Sequence, residues 1–476
     1  MTSFVSKLLL LAILVSTTPL FSSDIQVTNV IFSGAPADST SQTFVFLTVT
    51  WKNSWRNKSN HDAAWIFFKL RNQNDGRSYK PCPVKLTGHS LINNYERNDC
   101  LPSFFVPAHQ AGVLVYPSSA IRGDVSWRIK VAVDSRLIRG IDFQNIVFAS
   151  AYAIEMVKVP SGSFYAGDES EYLQKNASAF YEAGSKKRFL IKSEDEFQVG
   201  SEDGSLNYEI KDMPQYRGDV KGPVPDTFPK GFQEFYIMKY EVTMGQYTDF
   251  LNALSNQPSA FRANFGGKQY QSGRGGIAIE NGVYTCRAVH SPANYISWDD
   301  GCAFADWAGL RPFTELEYEK AARGTVSAVA SDFPWGTSSF GKIARHYSKD
   351  GELVFDHRLS EADLNQSQLD LVGASYFWVM DLSGSLWERV VTIGSEKGRS
   401  FKGTHGDGVL DQFGNATNDD WPDEQEGGFG YRGGGTYDFG MAFGPNYAEV
   451  GSRNFGAWGD GPRSVAYGFR AALTAQ

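Results

Sequence analysis

An apolar run over residues 8–15 follows Lys7 and gives way to a Ser/Thr-rich stretch ending at Ser23. A short charged start, a short greasy core and a small-residue exit predict a secretory signal peptide over residues 1–23. The run is much shorter than the ~20 residues that span a bilayer. No later stretch is long and apolar enough, so no transmembrane anchor is expected. From residue 24 to about 150 the chain reads as strands. Residues 25–32, 43–51, 64–70, 112–116 and 125–133 are rich in β-branched and aromatic side chains, and polar, Gly- or Pro-bearing segments separate them. This pattern predicts an antiparallel β-sandwich of immunoglobulin-like kind over 24–150. Residues 143–159 are strand-like and run into residues 160–168 without a Gly/Ser tether, so the two regions should dock rigidly.

Helical signals come later. Thr243 with Gln246, Ser297 with Asp300 and Thr314 with Glu317 have capping-box spacing. In each, a hydroxyl and a side chain three residues on can satisfy orphan backbone N–H groups. The first helix carries Met244, Tyr247, Phe250, Leu251 and Leu254 on one face; the second runs to Trp307; Gly324 ends the third. Beyond Arg323 the chain is mostly turns, glycines and aromatics. Its 48 glycines in 476 residues exceed the usual ~7%. Few helices in an irregular Gly-rich body define an α+β class for residues 151–476. Residues 168–231 read as an insertion, with 189–192 and 196–199 able to form an extra hairpin.

The net charge of -8 argues against a nucleic-acid binder, which needs a basic face. Export would permit disulfides. Of the three pairings open to four cysteines, Cys82 with Cys100 and Cys286 with Cys302 are the most economical. No Cys-x-x-Cys or Cys/His cluster suggests structural zinc.

Residues 154–476 resemble the formylglycine-generating enzyme (sulfatase-modifying factor) family, whose fold is related to C-type lectins. The resemblance rests on motifs in family order at residues 159–164, 240–243, 297–298, 307–311, 314–324, 333–336, 380–388, 432–435 and 468–470. In that family the oxidase binds copper(I) through two cysteines shortly after an Arg-Gly-Gly-Ser motif, and soft thiolates are what Cu(I) requires. Here the motif is Arg432-Gly433-Gly434-Gly435, and no cysteine follows Cys302. Neither copper nor the histidine-held iron of a second family branch is expected; the seven histidines show no close helical pairing.

The resemblance also implies structural calcium. One family site uses Gly-Asn-x-Trp-Glu, where this chain has Ser385 for the Asn but keeps Trp387 and Glu388. A second candidate is the loop 403–421, where Asp407 and Asp411, with Asn415 and Asp419 or Asp420, form either a calcium site or a solvated loop using Asp and Asn for turns. The region corresponding to the family's peptide cleft carries Tyr437, Asp438, Asn446, Tyr447, Arg453 and Trp458, a recognition chemistry. The expected function is a non-catalytic protein of the periplasm, cell surface or exterior that binds a peptide, a glycan or an envelope protein. A superfamily enzyme with altered chemistry and a purely structural envelope subunit are the alternatives.

Overall fold

The computed structural model describes residues 20–22, 25–33, 42–76, 78–96, 99–210, 218–271, 276–325, 329–339, 345–347, 353–355, 369–435, 447–460 and 462–475. The expected signal peptide lies largely outside them.

Two antiparallel sheets face each other across a shared apolar core. One has the order Leu20–Ser22, Ile25–Ser33, Thr43–Arg56, Ile121–Val133, Ser90–Asn94. The other runs Arg311–Pro312, Ala471–Thr474, Phe235–Met238, Val147–Val159, Asp62–Asn72, Gly112–Pro117, Pro102–Phe105, with Lys80–Pro81 also paired to Asp62–Asn72. Strands from both halves of the sequence thus share the second sheet. The boundary expected at 150/151 falls inside the strand Val147–Val159. That strand pairs with Asp62–Asn72 from Val147↔Asn72 to Val157↔Asp62, and with Phe235–Met238 on its other edge.

Period-two alternation explains how one sheet serves two cores. Ala64, Ile66, Phe68 and Leu70 point into the sandwich interior, with Val45, Leu47, Trp127 and Ile129 of the facing sheet. Their neighbours Ala63, Trp65 and Phe67 point the other way, into a core with Phe250, Phe304, Trp307 and Leu310. The strand is therefore apolar almost throughout, as two-sided burial requires. Trp65 Nε1 donates to the Ala308 carbonyl at 2.8 Å across this second interface.

The three capping boxes close as expected. Thr243, Ser297 and Thr314 accept from the N–H three residues on, and Gln246, Asp300 and Glu317 return the bond. The helices are Met244–Ala253, Trp298–Trp307 and Glu315–Arg323, the last stopped by Gly324 at φ 67. The insertion differs from expectation: its two apolar stretches do not pair with each other. Phe189–Ile191 pairs with Phe164–Ala166, while Phe197–Val199 pairs with Gly222–Val224 and Leu206–Asn207. Each finds a partner that buries one face against the main core, where Ile191 and Val199 reside.

Neither expected disulfide is formed; all four cysteines are free thiols. Cys82 and Cys100 sit in the sandwich interior, with Cys100 Sγ turned toward the Leu101 carbonyl. Cys286 lies on a hairpin beside Thr248, whereas Cys302 is inside the second helix near Asp299 and Arg262. Among the described residues no helix is long and apolar enough to cross a membrane.

Candidate functional site

The turn Arg432-Gly433-Gly434-Gly435 leaves the strand Phe429–Arg432. That strand pairs antiparallel with Trp387–Val391, which also holds Tyr467–Gly468 in parallel. Glycine is needed here for space as well as conformation. Gly434 has φ 64, and a Cβ on it would lie 2.9 Å from the Tyr447 backbone. A Cβ on Gly435 would come within 2.9 Å of the Trp387 ring. Contacts this short force neighbours to move, so the backbone approaches the aromatics as only glycine allows.

Beneath the turn lies a lattice of buried charges. Arg432 donates to Glu319 at 2.5 Å, to Glu315 at 3.4 Å and to the Val450 carbonyl at 2.8 Å. Arg453 grips Glu315 with two bonds of 2.6 and 3.0 Å and stacks over Phe180 and Tyr208. Arg323 bonds Glu319, Asp332 and Asp168 at 2.7, 2.8 and 3.2 Å. Burial alone would raise Glu319; Arg432 and Arg323 outweigh it and hold the carboxyl below its ordinary range. Such pairing keeps buried charges tolerable and fixes geometry more than it adds stability. Glu315, Glu319 and Arg323 fall on one helix at four-residue spacing, a signal present in the sequence itself.

Above the lattice sits an aromatic cluster. Trp387 meets Phe455 edge-on at 5.0 Å and Tyr447 at 5.9 Å, and Phe455 contacts Trp458 at 4.6 Å. Arg389 lies over the rings of Tyr431 and Tyr467 at 4.9 and 5.3 Å. Of the expected ligand residues, Tyr447 and Trp458 belong to this cluster. Arg453 does not: it is buried and committed to Glu315, so it positions the turn. Tyr437, Asp438 and Asn446 lie outside the described residues.

The residues expected to hold calcium do not fit one. Both oxygens of Glu388 accept from Arg470, at 2.6 and 2.7 Å, and Arg470 also donates to three backbone carbonyls. Ser385 Oγ donates to Glu241 at 3.0 Å. Burial, then the nearby Glu388 charge, pushes Glu241 well above the ordinary carboxylate range. A cation ligand set would have to displace a guanidinium already seated there. Asp407 accepts the Val409 N–H; Asp411 accepts from Phe413, Asn415 and the Asn415 amide. These are turn-forming bonds, and Asp306 anchors the loop by accepting the N–H groups of Asp407, Gly408 and Thr417. No group of three or more His, Cys, Asp or Glu able to hold a metal occurs among the described residues.

A family model described as a sulfatase-modifying factor enzyme 1-like domain matches residues 148–475, starting at the strand both cores share. Similar curated proteins are named formylglycine-generating enzyme. That of Mus musculus is 22% identical over 205 residues, 37% of this chain and 53% of the relative. That of Thermomonospora curvata is 47% identical over 45 residues, 10% and 14% of the two chains. That of Mycobacterium tuberculosis is 30% identical over 107 residues, 22% and 34%. The matched stretches span about half the length of these relatives at most.

Proposed function

Because the chain belongs to the family of sulfatase-modifying factor enzyme 1-like domains, we propose that it is an exported member that binds a ligand instead of oxidising one. On this reading a C-type-lectin-related scaffold follows an immunoglobulin-like sandwich. One observation carries the proposal: every cysteine lies at or before Cys302, so the segment after Arg432-Gly433-Gly434-Gly435 has no thiolate for copper(I). Aromatic surface stands beside the turn instead. Tyr447, Phe455 and Trp458 offer rigid contact area at low entropic cost, on a base held by Arg432 and Arg453. Among the described residues the Trp458 Nε1–H has no acceptor. An orphan donor of this kind costs about 1–3 kcal/mol, which a ligand oxygen would relieve. The charged start and apolar run over residues 1–23 support export.

The test has two arms on the full chain. With copper(I), oxygen and a cysteine peptide, no aldehyde should form; aldehyde formation that survives replacement of Cys286 and Cys302 would sink the reading. On peptide and glycan arrays, a specific hit should weaken in Trp458→Phe, which keeps a ring and removes the donor. Arrays blank for the wild type would argue equally against it.

A further inference from the structure

Away from the turn, a cleft of about 480 Å³ opens where three distant segments meet. This volume lies within the ~300–1,000 Å³ usual for small-molecule sites. His109 enters from the loop between Pro102–Phe105 and Gly112–Pro117, Asp226 from the insertion, and Lys402 and His405 from the loop tethered by Asp306.

The imidazoles of His109 and His405 stack face to face, with centroids 4.3 Å apart and planes within 4°. The backbone fixes their tautomers. His109 Nε2 lies 3.0 Å from the Gly309 carbonyl, which only accepts, so this nitrogen carries the hydrogen. The Thr474 N–H donates to His405 Nε2 at 2.9 Å, so there the hydrogen sits on Nδ1. Burial holds His109 down to about 4, and burial with the adjacent His109 holds His405 well below its ordinary value. Two neutral rings therefore stand together with opposite polarity at Nδ1, an acceptor on His109 and a donor on His405. Neither atom has a partner among the described residues.

Most of the lining charges already have partners: Glu194 accepts the N–H groups of Lys230 and Gln233 at 2.8 and 2.9 Å. Arg311 and Glu317 form a two-bond pair of 2.6 and 2.9 Å, and Glu234 is paired with Lys158 at 2.7 Å. Asp226 and Lys402 stand exposed with opposite signs. A site whose lining charges are mostly satisfied, with a fixed donor and a fixed acceptor on stacked rings, favours a neutral group that does both, which is a hydroxyl. We propose that this cleft is a second ligand site, taking a neutral saccharide of one or two rings whose hydroxyls engage His109 Nδ1 and His405 Nδ1–H. It does not depend on the recognition surface beside Arg432.

The experiment is saturation-transfer NMR on the full chain with glucose, galactose, N-acetylglucosamine, maltose and cellobiose, and with glucuronate and glucosamine as charged controls. At least one neutral sugar should receive transfer, and its affinity should fall about tenfold in His109→Phe or His405→Phe, which keep a stackable ring. Titrating that sugar into the wild type should shift the imidazole nitrogens of His109 and His405 and leave the other histidines unmoved. This second readout decides the matter if the variants fail to fold. Transfer to none of the five sugars, binding confined to the charged ones, or unmoved His109 and His405 signals would overturn the assignment.

Discussion

Trp65→Ala tests whether one sheet joins two cores. Trp65 belongs by sequence to the sandwich, yet it is fully buried against the residues around Trp307 and donates to Ala308. Truncating a buried Trp costs about 3–5 kcal/mol, and the Ala308 carbonyl left without its donor adds about 1 kcal/mol or more. A total near 5 kcal/mol is a large share of a typical domain's stability of roughly 5–15 kcal/mol. Native-state hydrogen exchange, read by mass spectrometry, locates the loss. Protection should fall by between about three and four powers of ten, at about 1.4 kcal/mol each, in Phe235–Met238, Ala471–Thr474 and Trp298–Trp307 as well as in Asp62–Asn72. The neighbour Ile66 faces the sandwich, so Ile66→Ala should strike Thr43–Arg56 and Ile121–Val133 first. If Trp65→Ala lowers protection only before residue 147, with the later segments at wild-type levels, the two-core reading is wrong.

Three further outcomes are expected. Glu388→Gln leaves Arg470 without its buried counter-charge and should cost about 3–5 kcal/mol in urea unfolding; a loss below about 1 kcal/mol would mean the pair is not structural. His109 prefers the neutral form when folded, at about 4 against 6.5 ordinarily. Its contribution is complete above pH 6.5 and is lost as pH falls toward 4, by up to roughly 3 kcal/mol. Asp306, raised by burial to about 6, acts in the opposite sense. The readout is therefore the stability difference between wild type and His109→Gln, which should shrink between pH 7 and 4; a flat difference refutes the assignment. Since Glu388, Asp407 and Asp411 already have protein partners, chelator should leave Tm within about 1 °C. A drop of several degrees in scanning fluorimetry would show a calcium site.

What was legible in the sequence was local. Each capping box needs only residues three apart, and Thr243, Ser297 and Thr314 began helices as spacing dictated. Strands announced themselves by composition, but their partners did not. Nothing near Val147 says that its strand will pair with Asp62–Asn72 on one edge and Phe235–Met238 on the other. Arg453 looked like a recognition residue because composition cannot separate an exposed guanidinium from one neutralised by Glu315. The missing thiolates could be read directly, since an absence needs no geometry. The His109–His405 stack left no trace in spacing; only folding brings those rings together.

The strand Ala471–Thr474 lies between Arg311–Pro312 and Phe235–Met238, with Ile237 opposite Ala472. Phe235–Met238 is separated from Ala471–Thr474 by most of the family-matched domain, so the closing step has high contact order and should be slow. Until Ala471–Thr474 arrives, Phe235–Met238 presents an apolar, unpaired edge in the middle of a nascent sheet, the kind of surface that recruits other chains. Synthesis therefore leaves a vulnerable interval that only the final stretch of the domain ends. A holding chaperone would matter more to the yield of this protein than to that of one whose sheet is built from neighbouring hairpins.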